Sequence, residues 1–221
     1  MKACLFSGGK DSTLALHKAS AEKSVELLIT MLSQNDDSYM FHKANIGYTK
    51  LQAEAMGIEQ KIFETKGEKE AELLDLEKAL VENNVTELVT GATASEYQKS
   101  RIDQLCKAHG ITHIAPLWHT DPLEELRELC ESYDAIVTKV AAEGFDDSYL
   151  GARIDGSMVE RLKLLNQKYG VNMLFEGGEA ESFVLDAPMF KKRIEIKKAH
   201  KEWDGFVGLY VIDEAVLSAK Q

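Results

Sequence analysis

Ser7-Gly8-Gly9-Lys10-Asp11-Ser12 is the stretch that decides the fold, and it lies between an apolar run at residues 3–6 and a helical pattern that opens near Ser12. Glycine lets the backbone turn tightly and bring its N–H groups close to an anion. The first turn of the following helix adds unpaired N–H groups and the positive end of the helix dipole. Ser7 and Ser12 supply hydroxyl donors, Lys10 a positive charge, and Asp11 a helix cap or a ligand for Mg²⁺. The stretch therefore predicts a loop that binds phosphate groups.

Apolar runs alternate with helical patterns along the first half of the chain. The runs predicted as strands cover residues 3–6, 25–32, 61–65, 87–90 and 113–117. The helical patterns after the first cover residues 47–56, 69–82 and 95–108, and a polar loop is predicted at residues 33–38. Strands separated by helices need crossover connections, so we expect a parallel sheet with helices on both faces. Ligands of such sheets bind beyond the carboxyl ends of the strands, where the glycine loop lies.

The second half of the chain has a different order of patterns. A helix is predicted after Asp121-Pro122 and another over residues 158–169. Strands are predicted over residues 135–140, 171–175, 193–198 and 207–212. We therefore expect two domains, residues 1–120 and 121–221, although no long linker marks the boundary between them.

Composition and charge narrow the class of protein. The 221 residues are 44% hydrophobic and 29% charged, which is typical of a globular protein with a sizeable core. The formal net charge is −11, and an acidic surface repels a phosphate backbone, so nucleic acid is not the expected partner. Cys4, Cys106 and Cys130 form no C-x-x-C pair and are expected to be reduced core residues. Because no signal sequence or long apolar stretch is present, we expect a cytoplasmic protein without a membrane partner.

A second polar helix entry is predicted at residues 91–101. Here Glu96 and Tyr97 open the helix, and both Tyr97 and Gln98 lie about one turn from Arg101 on a shared face. A ligand site and an ordinary solvated first turn are equally compatible with this composition.

A cluster of carboxylates surrounds a glycine pair at residues 175–182. Glu176, Glu179 and Glu181 are costly to bring together without a cation or hydrogen-bond donors to balance them. Such a group can bind Mg²⁺, hold an ammonium ion or accept a proton. The alternative is an exposed acidic turn.

Five segments occur in order along the chain and together resemble one family. They are S-G-G-K-D-S at residues 7–12, G-A-x-x-S-E-Y-Q-x-x-R at residues 91–101, Pro116-Leu117-Trp118, Leu150-Gly151, and E-G-G-E-x-E-S at residues 176–182 followed by Asp186-Ala187-Pro188. The combination resembles the diphthine–ammonia ligase family of PP-loop enzymes, from residue 3 to about residue 190. Many PP-loop enzymes share the first segment, whereas the glycine–glutamate block is specific to this family.

The resemblance implies a fold, a reaction and a set of site residues. The fold would be an α/β parallel sheet of the adenine nucleotide alpha hydrolase type with helices on both faces, followed by a smaller α+β domain. The reaction would be the ATP-dependent, AMP-forming amidation of diphthine on elongation factor 2 by ammonia, with Mg²⁺. The ATP-binding residues would be Ser7, Gly8, Gly9, Lys10, Asp11 and Ser12, and the substrate-binding residues Glu96, Tyr97, Gln98, Arg101, Gly177, Gly178 and Glu181.

The residues predicted to take part in the chemistry are Lys10, Asp11, Glu176 and Glu179. Lys10 and the loop amides would neutralise the leaving pyrophosphate, and Asp11 would help to hold Mg²⁺. One glutamate, with Glu179 the first choice, would guide ammonia or accept its proton. The chain departs from the family pattern at Phe175, where glycine is usual, at Ala180, where an aromatic residue is usual, and at Ser182, where threonine is frequent.

Other functions stay open on the sequence alone. A bacterial relative would act on another carboxylate, and a tRNA-modifying PP-loop enzyme would share the first loop, although such enzymes favour basic surfaces or reactive cysteines. A non-catalytic nucleotide-binding protein would share the sheet. No glutaminase domain is evident, so free ammonia or a partner subunit is the expected nitrogen source. A homo-oligomer is compatible with the sequence, and among the histidines only His42 is expected near the cleft.

Overall fold

The computed structural model describes residues 1–33, 45–66 and 69–220, with the backbone alone at residues 69 and 70. The predicted polar loop beyond Ser33 and the histidine expected near the cleft, His42, lie outside the described residues.

Five parallel strands form the first sheet, as the alternating patterns predict. In chain order the strands are β1 (Lys2–Leu5), β2 (Leu27–Ser33), β3 (Glu59–Thr65), β4 (Glu87–Val89) and β5 (Thr112–Ile114). Their order across the sheet is β3-β2-β1-β4-β5, and every neighbouring pair is parallel. The last strand is shorter than predicted because the chain enters a turn in which the N–H of Trp118 donates to the carbonyl of Ala115.

Four helices cover this sheet, two on each face. They are α1 (Lys10–Ser20), α2 (Thr49–Met56), α3 (Lys69–Glu82) and α4 (Glu96–Ala108). Neighbouring residues of a strand point to opposite faces, so Cys4 packs with α1 and α2 while Ala3 packs with α3 and α4. The prediction of an α/β sheet with helices on both faces is confirmed.

The second half forms an antiparallel sheet with two helices. Its elements are α5 (Pro122–Ser132), β6 (Asp134–Val140), α6 (Gly156–Tyr169), β7 (Ala180–Asp186), β8 (Arg193–Trp203) and β9 (Gly208–Ser218). The strand order is β7-β6-β9-β8, and each neighbouring pair is antiparallel. This is the smaller α+β part that the resemblance implies. No helix in the described ranges is both long and apolar enough to cross a membrane.

The predicted strand at residues 171–175 is wrong. The segment is a turn, in which the N–H of Leu174 donates to Asn172 Oδ1 at 2.8 Å and the N–H of Phe175 donates to the carbonyl of Asn172 at 3.0 Å. An asparagine side chain competes for its own neighbours' N–H groups in this way, which stops the segment from joining a sheet. The strand of this region is β7, which begins at Ala180 and contains the last three residues of the glycine–glutamate block.

The two halves share one core and meet at the glycine loop. One cluster of buried apolar side chains includes Leu14 of α1, Leu126 of α5 and Phe183 of β7. Strand β7 also binds the loop directly, because the N–H of Val184 donates to the carbonyl of Gly8 at 3.0 Å. The division at residues 120 and 121 stays a prediction, and the site described next contains residues from both sides of it.

Candidate functional site

The glycine loop joins β1 to α1 in a conformation that only glycine allows at its second position. Gly8 has φ +78°, and a Cβ there would lie 2.3 Å from Gln52 Oε1. Gln52 is fully buried, and its Nε2 donates to the carbonyls of Gly8 at 2.9 Å and Val184 at 2.7 Å. These bonds hold the Gly8 carbonyl in place and join the loop to both halves of the protein.

Hydroxyl groups hold the rest of the loop in shape. The Oγ atoms of Ser7 and Ser12 are 3.1 Å apart, and the N–H of Ser7 donates to Ser12 Oγ at 3.3 Å. The N–H of Lys10 donates to Ser182 Oγ of β7 at 3.0 Å. Gly9 is the N-cap of α1 and brings no side-chain cap. The loop therefore presents the N-terminus of α1 to the pocket in a preformed conformation, as an anion site requires, with Ser182 occupying one of its N–H groups.

Lys10 lies beneath this loop rather than in the pocket. Its side chain is fully buried, its ammonium group forms an ion pair with Asp11, and its Nζ lies 5.5 Å from the centre of the Phe175 ring. Asp11 lines the pocket and keeps 31% of its side-chain area exposed. The direct contact between Lys10 and phosphate that the sequence predicts stays a prediction, and this geometry does not favour it.

Glu125 of α5 is a third charged group beneath the loop, and no sequence signal pointed to it. The residue is 3% exposed, and its Oε2 accepts a hydrogen bond from Thr120 Oγ1 at 3.0 Å. Its Oε1 is buried. Burial raises the pKa of Glu125 to about 7; the charge of Lys10 opposes this rise and the Asp11 carboxylate adds to it. Lys10 therefore balances two carboxylates.

A pocket of about 610 Å³ opens at the carboxyl ends of β1, β2 and β4. Its walls combine the loop with apolar side chains such as Met31, Ile46 and Ile102, and the glycine–glutamate block closes it from the second half. Gly91 brings the end of β4 against the loop, because a Cβ there would lie 2.7 Å from the Asp11 carbonyl carbon. A polar loop beside an apolar wall suits a ligand that carries phosphates on a flat ring system.

Helix α4 brings part of its predicted set to this pocket. Tyr97 and Gln98 line the pocket, and Ser95 caps the helix by accepting a hydrogen bond from the N–H of Gln98. Arg101 and Glu96 are not among the lining residues. Arg101 contacts the Tyr97 ring at 5.1 Å and lines a separate groove beside α3, while Glu96 is exposed, with its Oε1 3.8 Å from a histidine nitrogen.

The three carboxylates of the glycine–glutamate block point to different partners. Glu176 accepts a hydrogen bond from Thr93 Oγ1 across the cleft, and Glu181 forms an ion pair with Lys139 at 3.0 Å. Glu179 accepts a hydrogen bond from the N–H of Asn172 at 2.5 Å and is not among the pocket-lining residues. Each carboxylate is thus balanced by its own donor, and the geometry does not favour Glu179 as the group that handles ammonia.

The three departures from the family pattern, Phe175, Ala180 and Ser182, line the same pocket. Phe175 has φ +67°, a left-handed conformation in which glycine is unstrained and phenylalanine is not. Its ring is nevertheless buried, at 6% exposed. Ala180 also lines the pocket and leaves room there, so an aromatic ring is present near the loop but comes from a different position.

Three side chains form a hydrogen-bonded row in the wall of the pocket. Thr90 lines the pocket, and its Oγ1 lies 2.8 Å from Nε2 of His113 on β5. The Nδ1 of His113 lies 2.5 Å from Oδ1 of Asp103 on α4. Sequence reasoning missed this row because the three residues lie on different elements: the pairing of β4 with β5 brings Thr90 beside His113, and the packing of α4 against β5 adds Asp103.

Comparison with known proteins identifies the family. Models of the diphthamide synthase N-terminal and C-terminal domains match residues 1–113 and 121–218. Curated proteins named diphthine–ammonia ligase are 36% identical in Rattus norvegicus, over 88% of this chain and 82% of the relative, and 34% identical in Homo sapiens, over 87% and 81%. A solved structure titled as a predicted subunit of tRNA methyltransferase from Methanocaldococcus jannaschii covers 85% of this chain and 98% of its own at 18% identity. Its TM-score of 0.46 is too low to support an argument. On the two domain matches and these identities, the chain belongs to the diphthamide synthase family.

Proposed function

We propose that this protein is an ATP-dependent ligase that joins ammonia to the carboxylate of diphthine on elongation factor 2 and releases AMP and pyrophosphate. The observation that carries the proposal is the preformed glycine loop, which presents the N-terminus of α1 to a pocket of about 610 Å³. Its location at the carboxyl end of β1 is the place where parallel sheets bind nucleotides. The names of the relatives, diphthine–ammonia ligase, supply the two other substrates.

The chemistry requires activation of the carboxylate, which is a poor electrophile towards ammonia. Attack of a carboxylate oxygen on the α-phosphorus of ATP forms an acyl adenylate and releases pyrophosphate. Attack of ammonia on the acyl carbon then releases AMP and leaves the amide. The loop amides and the hydroxyls of Ser7 and Ser12, whose Oγ atoms lie together at the loop, would bind the departing pyrophosphate, so positioning and charge neutralisation would account for most of the protein's contribution.

Asp11 is the residue suited to a magnesium ion at this site. Its side chain is partly exposed and lines the pocket beside the loop. No group of three metal-ligating side chains occurs in the part of the chain that the structure describes. Mg²⁺ in nucleotide sites typically takes one or two carboxylates and completes its shell with phosphate oxygens and water, so a single aspartate fits this role. The ion would neutralise charge on the phosphates.

The walls of the pocket away from the glycine loop would bind the second substrate, diphthine. Tyr97, Gln98, Glu176 and Glu181 line it with Gly177 and Gly178 between the two acidic residues. Glu181 and Lys139 together present both signs of charge there. Diphthine also carries both signs, a carboxylate and a quaternary ammonium group, so this mixed wall suits it better than a surface of one sign would.

A tRNA-modifying reaction is not favoured. The curated relatives are named for diphthine and ammonia, and a net charge of −11 opposes the binding of a phosphate backbone. The cytoplasmic location and a homo-oligomeric state remain proposals, to be tested by fractionation and by light scattering.

The test is to incubate the purified protein with ATP, Mg²⁺ and ammonia, with and without elongation factor that carries diphthine. We expect AMP to form in proportion to amide, and only when the modified factor is present. The Asp11→Asn variant should lose this AMP and keep its fold by circular dichroism. Formation of ADP, or AMP formation that ignores the factor, would refute the proposal.

A further inference from the structure

The row formed by Asp103, His113 and Thr90 has the order of a proton relay. The His113 side chain is 6% exposed, and each of its ring nitrogens is within hydrogen-bond distance of one neighbour, 2.5 Å from Asp103 and 2.8 Å from Thr90. Asp103 lies at the outer end with 41% of its side chain exposed, and Thr90 lies at the inner end in the pocket wall. The row therefore connects the pocket to solvent.

The charge on Asp103 sets the direction of the hydrogen bonds. Burial alone would raise the pKa of Asp103, but hydrogen bonds from Lys99 and His113 outweigh it and hold the pKa below its ordinary value. In the tautomer whose Nδ1–H donates to the ionised Asp103, Nε2 of His113 is an acceptor. The Thr90 hydroxyl then donates to Nε2, so its oxygen lone pairs remain available on the pocket side.

Amidation needs a proton acceptor at its second step. Ammonia that attacks an acyl carbon becomes positively charged and must lose a proton before the product is stable. The carboxylates among the described pocket-lining residues are Asp11, Glu176 and Glu181, and all three already accept from a lysine or a hydroxyl group, which makes them weaker bases. Among the described lining residues, Thr90 is the one whose hydroxyl contacts an imidazole nitrogen, Nε2 of His113.

We propose that the Thr90 hydroxyl takes the proton from the attacking ammonia and passes its own proton to His113. The C–N bond forms and an N–H bond breaks; that proton goes to Thr90 Oγ1 as the Thr90 hydroxyl proton moves to Nε2 of His113. The C–O bond to AMP then breaks, and AMP leaves with the bonding electron pair. Asp103 stabilises the imidazolium ion that forms. Thr90 is a catalytic residue here, and His113 and Asp103 are positioning residues. This inference rests on the proposed function.

The test separates the two steps of the reaction in variants of the relay. Thr90→Val keeps the branched shape and removes the hydroxyl, whereas Thr90→Ser keeps the hydroxyl. ATP–pyrophosphate exchange without ammonia reports the first step, and mass spectrometry of the elongation factor after addition of ammonia reports the amide. His109→Gln is the matched control, because His109 forms a similar 2.7 Å pair with Glu77 at the surface end of α4.

We expect Thr90→Val and His113→Gln to slow amide formation by about 100-fold, a typical effect of losing general-base catalysis. Exchange should not fall with amide formation in either variant. Thr90→Ser, which keeps the hydroxyl, should recover most of the amide formation that Thr90→Val loses, and the control His109→Gln should form amide at the rate of the unmodified protein. The relay is refuted if Thr90→Val forms amide normally, or if exchange and amide formation fall together, since the hydroxyl would then bind nucleotide. If Thr90→Val does not fold, the same comparison of exchange with amide formation is made in His113→Gln. Failure of the proposed function is distinguishable from failure of the relay, because in that case the unmodified protein would itself form no amide.

Discussion

Replacement of Lys10 by methionine should destabilise the protein rather than only reduce its activity. The change keeps the length of the side chain and removes the charge. Lys10 is fully buried between the Asp11 carboxylate and the Phe175 ring, and it opposes the negative charge of Glu125. Its loss leaves two carboxylates beneath the loop without a cation. The sequence alone predicts a different result, a lysine whose loss affects phosphate chemistry and leaves the fold intact.

The magnitude follows from burial. Removal of one partner from a buried ion pair costs about 3–5 kcal/mol. Asp11 keeps 31% of its side-chain area exposed, so water screens its charge and reduces its contribution to the loss of stability. Most of the cost therefore comes from leaving Glu125, which is 3% exposed, without a cation. Glu125 avoids part of this cost by taking up a proton, because burial already raises its pKa to about 7. We therefore expect the lower end of the range, about 3 kcal/mol at pH 8.

Equilibrium unfolding in urea measures this cost. With an m value of about 3 kcal/mol/M, the Lys10→Met midpoint should fall by about 1 M. The double variant Lys10→Met with Glu125→Gln should recover at least about 1 kcal/mol, because contacting charges are not additive. Lys18→Met is the control: its exposed pair with Glu128 contributes less than about 1 kcal/mol. A Lys10→Met midpoint equal to that of the control, with additive effects in the double variant, would refute a buried charge network.

Further predictions concern the backbone, the thiols and one surface histidine. Phe175→Gly should be about 1 kcal/mol more stable than Phe175→Ala by urea unfolding, the reverse of the usual order, because φ is +67° there. Gly91→Ala should lower both the rate of AMP formation, by about 100-fold, and the thermal stability, because the new Cβ would lie 2.7 Å from the backbone of Asp11 and Ser12 and must displace the start of α1. Burial raises the pKa of Cys130 and raises that of Cys106 to about 11, so iodoacetamide at pH 8 should label both slowly and the more exposed Cys130 first, by peptide mass spectrometry. Hydrogen bonds to Asp213 and Glu202 raise the pKa of His200. The unmodified protein should therefore exceed His200→Gln in free energy of unfolding by the full amount below about pH 6.5, and urea unfolding should show this difference disappear as the pH rises past the raised pKa.

The parallel sheet was predictable because its signals are local. Each strand is a short apolar run, and each crossover helix has its own periodicity and end signal, such as Gly57 with φ +73° after α2. The glycine loop was predictable for the same reason, since its shape depends on residues next to each other in the chain. The turn at residues 171–175 was missed because Asn172 competes with strand formation through its side chain, which an apolar run does not reveal.

The partners of the charged site residues were not predictable, because they depend on contacts between distant segments. The sequence places Lys10 in a phosphate loop but does not show that Glu125, more than a hundred residues later, shares its buried space. Glu176, Glu179 and Glu181 look like one acidic cluster in the sequence, whereas a 3₁₀ turn and the start of β7 direct them to three different donors. Local pattern thus predicts where the site lies, and tertiary contacts decide what each side chain does in it.

The most direct test of the account follows one oxygen atom. Diphthine on the elongation factor is labelled with ¹⁸O in its carboxylate and allowed to react with ATP, Mg²⁺ and ammonia, and the products are analysed by mass spectrometry. If the loop at residues 7–12 holds ATP so that the carboxylate attacks the α-phosphorus, one ¹⁸O atom must appear in AMP and none in pyrophosphate. Unlabelled AMP, or the label in inorganic phosphate beside ADP, would contradict the account.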